Sequence, residues 1–482
     1  MADLKDHVEK FGVESILAIR DSNGDRLIHS SALYGQVSTV TFLLDKGADI
    51  EEPGYVGRTP LLTAAAKGHS KVIDVLLKRK AKIDAKSYGT DDNSTAAHLA
   101  ASFGHIEALK TLIKANKKVL EYLDKDGDMP LHRCAMKGHS DTCEALVKSG
   151  APLEAKGGLD RTPFLVAVEK GHLPTVVKLV ELGANIHAVS SLEDCEGTAI
   201  HLATEFQKLE ICNYLLNIHP EFLTTKDSNN NQPINDAALC GHIDILNFFI
   251  KKGASVETKG FNGRTPLLNA CGSGAVEMVK HLLQRKVDVG ATSGPGDTEA
   301  KAIHLAAAFG HPRTITVLLE QFPSMVAMQN SKEDLPMHVA AAYGQIKSLE
   351  TLLKMGADIE GRGFQGRTPL MAAGCTGQVE AVEFLINKGA KMSALTDDNY
   401  GDSVIHLAAY FGKLCCARTV THVVISLRNS GRTEVVAYLA RIKATLLSLR
   451  NKGGETALQR ASINKQQAVI DFIKSKVKTI EL

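Results

Sequence analysis

Arg-Thr-Pro stands at 58–60, 161–163, 264–266 and 367–369, a step of 103 residues each time. His98, His201 and His304 keep the same step, as do Pro130, Pro233 and Pro336. A period this strict leaves little room for linkers between copies. The chain is therefore expected to stack its copies side by side, each covering the apolar face of the next. Any binding surface should then be repeated as well.

Each block divides again. Thr59-Pro60-Leu61-Leu62-Thr63-Ala64-Ala65, Thr95-Ala96-Ala97-His98-Leu99-Ala100-Ala101 and Met129-Pro130-Leu131-His132-Arg133-Cys134-Ala135 are three versions of one phrase. The starts at 59, 95, 129 and 162 are separated by 36, 34 and 33 residues. A unit of about 33 residues carrying T-P-L-H-x-A is the ankyrin signature. By these residues the chain resembles the ankyrin-repeat family over almost its whole length.

That resemblance implies an all-α solenoid of helix–turn–helix units with projecting turns, grouped into a three-unit super-repeat. Residues 1–482 are read as a single solenoid. Within it, 1–26 form a half-repeat or cap and 27–56 a first repeat. Blocks follow at 57–159, 160–262 and 263–365, and a fourth at 366–482.

Composition narrows the function. A formal charge of +2, from 56 basic and 54 acidic residues, gives no field suited to nucleic acid or anionic lipid. The charged opening Met1-Ala2-Asp3-Leu4-Lys5 is unlike a secretory leader, and no apolar run reaches the roughly 18 residues of a membrane span. Nine cysteines without a C-x-x-C pair do not read as a disulfide or zinc framework, so a reducing, cytoplasmic compartment is expected. Cys134, Cys240, Cys271 and Cys375 read as small packed or surface thiols.

Local chemistry explains one repeat. Thr caps a helix, and Pro tolerates a first-turn position whose N–H has no helical partner. Ala64-Ala65-Ala66 makes that helix thin, Gly68 permits the left-handed turn that ends it, and Val72, Ile73, Leu76 and Leu77 give the second helix an apolar stripe. His29, His98, His132, His201, His304, His338 and His406 form a series with no Cys, Asp or second His at ligand spacing, so no metal is expected there. The family resemblance implies instead that this His ties backbone groups of adjacent turns. Leu62, Leu165, Leu268 and Met371 replace it in the first unit of every block.

By the same resemblance, partners are bound by turn tips and by outward positions of the first helix, on the concave face. Two stripes emerge there. Arg58, Arg161, Arg264 and Arg367 precede Thr-Pro on the turns, while Phe103, Phe206, Phe309 and Phe411 close the first helix of each middle unit. With about 10 Å per repeat, members of one stripe lie about 30 Å apart, which suits an extended or repetitive protein partner. Tyr34, Lys137, Cys240 and Tyr343 hold the Phe-equivalent place in third units, making the surface mixed aromatic and basic. Aromatic and Arg side chains are common interface anchors, although block duplication or packing would also reproduce them.

The fourth block breaks the step. His406 falls 102 residues after His304, but Ala457 falls 121 after Pro336, which locates 19 extra residues at 413–431. The insert carries no repeat motif. It reads as a retained intron or gene-model error, with a functional loop or a disordered extension as alternatives.

No catalytic grouping and no cofactor site is found. Gly272-Ser273-Gly274 and Gly294-Pro295-Gly296 lack the Lys and helix spacing of a phosphate loop. The leading expectation is a non-catalytic scaffold or adaptor. Thr198-Ala199-Ile200-His201-Leu202-Ala203, Met129-Pro130-Leu131-His132-Arg133 and the recurrent Gly-Arg-Thr-Pro-Leu also resemble the cytoplasmic ankyrin domain of TRPA-class transient receptor potential channels. That implies a fragment or paralogue of such a domain, the cytoplasmic part of a membrane protein. A third reading makes the array a targeting device for an enzyme domain outside this chain.

Overall fold

Thr-Pro opens helices where the phrase places it. In the computed structural model Pro60–Ala66, Pro163–Lys170, Pro266–Ser273 and Pro369–Thr376 each begin at the Pro of Arg-Thr-Pro. The preceding Thr accepts a hydrogen bond from the amide three residues on, at 3.4 Å in all four. The structure describes Lys10 and residues 12–89, 93–191, 196–411 and 431–480. Nearly all of the 413–431 insert therefore lies outside the described residues.

Among the described residues there are 27 α-helices and no strand. None is long and apolar enough to cross a membrane. The chain divides into two compact units, Met1–Ser228 and Asn229–Leu482. The first holds a short helix, Val13–Ala18, and then six helix pairs; the second holds seven pairs.

Packing follows the residue sizes. All seven residues of Pro60–Ala66 are buried, because this Ala-rich helix is thin enough for neighbours to approach from both sides. It packs on the next first helix, Ala96–Ser102. Ser70–Lys78 buries Val72, Ile73 and Leu76 and packs on the next second helix, Ile106–Ala115. Each such side chain contributes about 1.5–3 kcal/mol when fully buried, and much of that burial depends on the neighbouring pair.

Two sets of joints tie successive pairs. One uses His. His98 Nδ1 accepts from the Thr95 amide at 3.2 Å, which fixes the proton on Nε2, and Nε2 donates to the Asp128 carbonyl at 2.9 Å. His132, His304, His338 and His406 repeat the arrangement, reaching the carbonyls of Arg161, Asp334, Arg367 and Leu449. First units, which lack this His, use turn backbone instead. Val56, Leu159, Asn262 and Gln365 adopt positive φ of 47–56°. That turns their carbonyls toward the amides of Tyr88, Ser191, Gly294 and Asp397.

A second histidine series runs the other way. His69, His105, His139, His172 and His311 donate back to the last turn of the preceding first helix, as in His105 to the Ala66 carbonyl at 3.1 Å. Gly68, at φ 77°, leaves the space that this ring needs, since a Cβ there would lie 2.7 Å from it.

One cysteine expectation is corrected. Cys134 and Cys143, both fully buried, form a disulfide with a Cα–Cα distance of 5.9 Å. The eight residues between them match no cysteine motif, but they span the tight turn of one helix pair, which brings the two facing positions together. Cys212 and Cys271 are buried thiols outside any disulfide, and Cys240 is an exposed one.

Candidate functional site

The two candidate stripes meet. Arg161 faces the Phe206 ring at 5.8 Å, Arg264 faces Phe309 at 5.6 Å and Arg367 faces Phe411 at 5.5 Å. Each Arg belongs to the turn of a first unit and each Phe closes the first helix of the following middle unit. The pairing therefore arises from stacking of adjacent pairs. A guanidinium over an aromatic face is worth about 0.5–1 kcal/mol when exposed and about 2 when desolvated.

Two of these Arg side chains, Arg161 and Arg264, stand behind the rings, away from solvent. Arg161 and Arg264 are each only 8% exposed. Their charges are balanced by Glu169 and Asp297, which accept from Arg161 Nη1 and Arg264 Nε. Arg58 and Arg367 are half-buried. The rings reach water: Phe103 is 51% and Phe206 36% exposed, while Phe309 and Phe411 are half-buried. Tyr34 is 71% exposed, Lys137 and Cys240 are exposed, and Tyr343 is half-buried.

Turn-tip aromatics escaped the sequence reading. Arg264 also faces Phe261 at 5.9 Å and Arg367 also faces Phe364 at 5.2 Å, so each guanidinium contacts a tip ring and a helix-end ring. The signal was present: Tyr55, Gly158, Phe261 and Phe364 keep the 103-residue step. Gly158 carries no ring, and Arg161 faces the Phe206 ring and pairs with Glu169.

In the second unit these groups border a cavity of about 250 Å³. Leu305, Ala308 and Val339 give it apolar walls; Phe309 and Tyr343 also line it, and Asp297, Asn330 and Asp334 supply polar groups. It is smaller than the roughly 300–1,000 Å³ of ordinary ligand pockets. Its size suits one large side chain, and its acceptors suit a donor-bearing tip.

The phrase His residues are not free to ligate a metal, since both ring nitrogens of His98, His132, His304 and His338 are engaged with protein groups. Burial lowers the pKa of His98 and His304 to about 4 and depresses His132, His338 and His406 too. Burial likewise pushes the Cys212 thiol up to about 12 and raises Cys271, which removes nucleophilic character from both.

Comparison with known proteins gives the same picture. The model of the family described as "Ankyrin repeats (3 copies)" matches residues 7–87, 86–157, 164–260, 220–293, 236–327, 267–363 and 359–425. Transient receptor potential cation channel subfamily A member 1 of Homo sapiens is 25% identical over 457 residues, covering 85% of this chain and 40% of that protein. Its Caenorhabditis elegans homolog is 26% identical over 226 residues, covering 47% and 15%. The Caenorhabditis elegans ankyrin repeat and KH domain-containing protein mask-1 is 28% identical over 261 residues, covering 54% and 10%. The chain thus spans less than half the length of each of these relatives. Helix pairs at the ankyrin period, His joints between them and a family match over most of the sequence lead to one conclusion: this chain belongs to the ankyrin-repeat family.

Proposed function

We propose that this chain is a non-catalytic, cytoplasmic protein-binding scaffold whose contact surface is the row of aromatic rings backed by Arg at the first-helix ends. The cavity in the second unit carries this reading, because it gathers Arg264, Phe309 and Tyr343, all candidates on sequence grounds. A half-exposed ring held from behind by a neutralised guanidinium is ordered before binding, so little side-chain entropy is lost on contact. An extended protein segment would seat apolar or donor-bearing side chains against successive rings.

Combining Phe206→Ala with Phe309→Ala tests the reading. Partner capture from lysate of the source cells should fall at least about tenfold while the melting temperature shifts by a few degrees at most. A large loss of stability, with capture per folded molecule unchanged, would make the rings packing residues.

The likeness to the human channel, which runs through 85% of this chain, supports a second reading as the cytoplasmic array of a TRPA-like channel. In-frame gene sequence continuing into apolar segments of about 20 residues would establish it. A transcript that terminates without them would favour the free adaptor.

A further inference from the structure

His187, His219 and Glu221 lie together in the first unit, each offering a ligand atom within 4.8 Å of the other two. His187 sits in the turn after the second helix Leu173–Glu181, and its amide donates to Asn185 Oδ1 at 3.0 Å. His219 caps the end of the next second helix, Leu209–Ile218, and Glu221 falls in the 3-10 turn Pro220–Leu223. The two imidazole rings are 5.4 Å apart, centre to centre. The buried Phe222 ring contacts both, at 5.2 and 5.6 Å, and forms a fixed wall behind them.

The repeat does not require these residues. One step of 103 earlier the same three places hold Asp84, Asn116 and Lys118; one step later they hold Gly290, Phe322 and Ser324. The solenoid forms with either set, so the fold leaves the two His and the Glu unexplained. Unlike the phrase histidines, this pair is open to solvent, with His187 exposed and His219 half-buried.

We propose that His187, His219 and Glu221 form a three-ligand site for a divalent transition-metal ion of the zinc class. Two imidazoles and one carboxylate match the donor set of open zinc sites, in which water takes the fourth position. Imidazole also disfavours calcium and magnesium, which take oxygen ligands. Ligand atoms on one tetrahedral zinc ion lie about 3.4 Å apart, given bonds of about 2.0–2.1 Å. Closing the widest pair takes a shift of at most about 1.4 Å, within reach of side-chain rotation where no ligand is buried. His219 Nδ1 and Glu221 Oε1 already lie 2.6 Å apart, joined by a hydrogen bond that the ion would replace. Because His187 belongs to one helix pair and the other two ligands to the next, the ion would cross-link two successive repeats.

Titration of the chelator-treated full chain with Co²⁺, followed by displacement with Zn²⁺, tests the site. One equivalent should give the visible absorption of tetrahedral Co²⁺ without thiolate charge transfer, and Zn²⁺ should abolish it. His187→Ala and His219→Ala should each weaken binding at least about tenfold, the loss that even outer partners of metal ligands produce. Glu221→Gln should weaken it less. Circular dichroism melts without metal should differ by a few degrees at most among the variants, since none of the altered side chains is buried. Absence of saturable binding, a thiolate charge-transfer band, or equal affinity in the double His variant would each overturn the assignment.

Discussion

First units and the units that follow them solve the same problem with different atoms. At the joint from a first to a middle unit, a left-handed residue such as Val56 aims its own carbonyl at the amide of Tyr88, so the bond is backbone to backbone. At the joint from a middle to a third unit, His98 joins the Thr95 amide to the Asp128 carbonyl through its ring. The first kind does not depend on side-chain identity and does not titrate. The second can be deleted by one substitution or by acid.

Acidification should separate the two most strongly. The folded chain holds His98 and His304 neutral down to about pH 4, whereas an unfolded His takes up its proton near pH 6.5. Between these values the unfolded state binds more protons, so stability falls as pH falls from about 6.5 toward 4. His132, His338 and His406 shift in the same direction and add to the loss. Hydrogen exchange at pH 7 and pH 5 should show earlier opening at His joints than at turn joints. Uniform opening would remove the distinction.

Single substitutions come next. His98→Ala strands the buried Asp128 carbonyl and one amide of the helix start, at a cost of about 2–4 kcal/mol in chemical denaturation. Tyr88→Ala leaves its backbone bond to Val56 in place, and with the ring 56% exposed it should change stability by less than about 1 kcal/mol. Equal losses would mean that both joints depend on side-chain packing. Thr59→Ala should cost about 0.5–1 kcal/mol, the lower range for a cap, because its 3.4 Å bond is long. Smallest is Val56→Gly. It relieves a β-branched residue at φ 47° and should raise the melting temperature slightly or leave it unchanged, where glycine inside a helix would lower it.

Helix starts were legible because Thr-Pro acts locally, and the structural role of the phrase His followed from its family resemblance and the lack of nearby ligands. The pairing of Arg161 with Phe206 and of Arg264 with Phe309 was not, although both pairs share an offset of 45 residues. A linear pattern separates residues that stacking places face to face. Cys134 with Cys143, and His187 with His219 and Glu221, were hidden for the same reason: only the antiparallel helix pair, or two successive pairs, brings them together. The turn-tip rings Phe261 and Phe364 keep the period but stand outside the Thr-Pro phrase, so only the fold shows them against Arg264 and Arg367.

On the proposed function the aromatic row, and not the second-helix face, meets the partner. A photo-crosslinking residue placed at Phe309, and in a separate variant at Glu277 on the exposed side of Val276–Gln284, tests it in one experiment. A discrete crosslinked protein should form from position 309 and none from 277. Crosslinking to the same protein from 277, with none from 309, would contradict it.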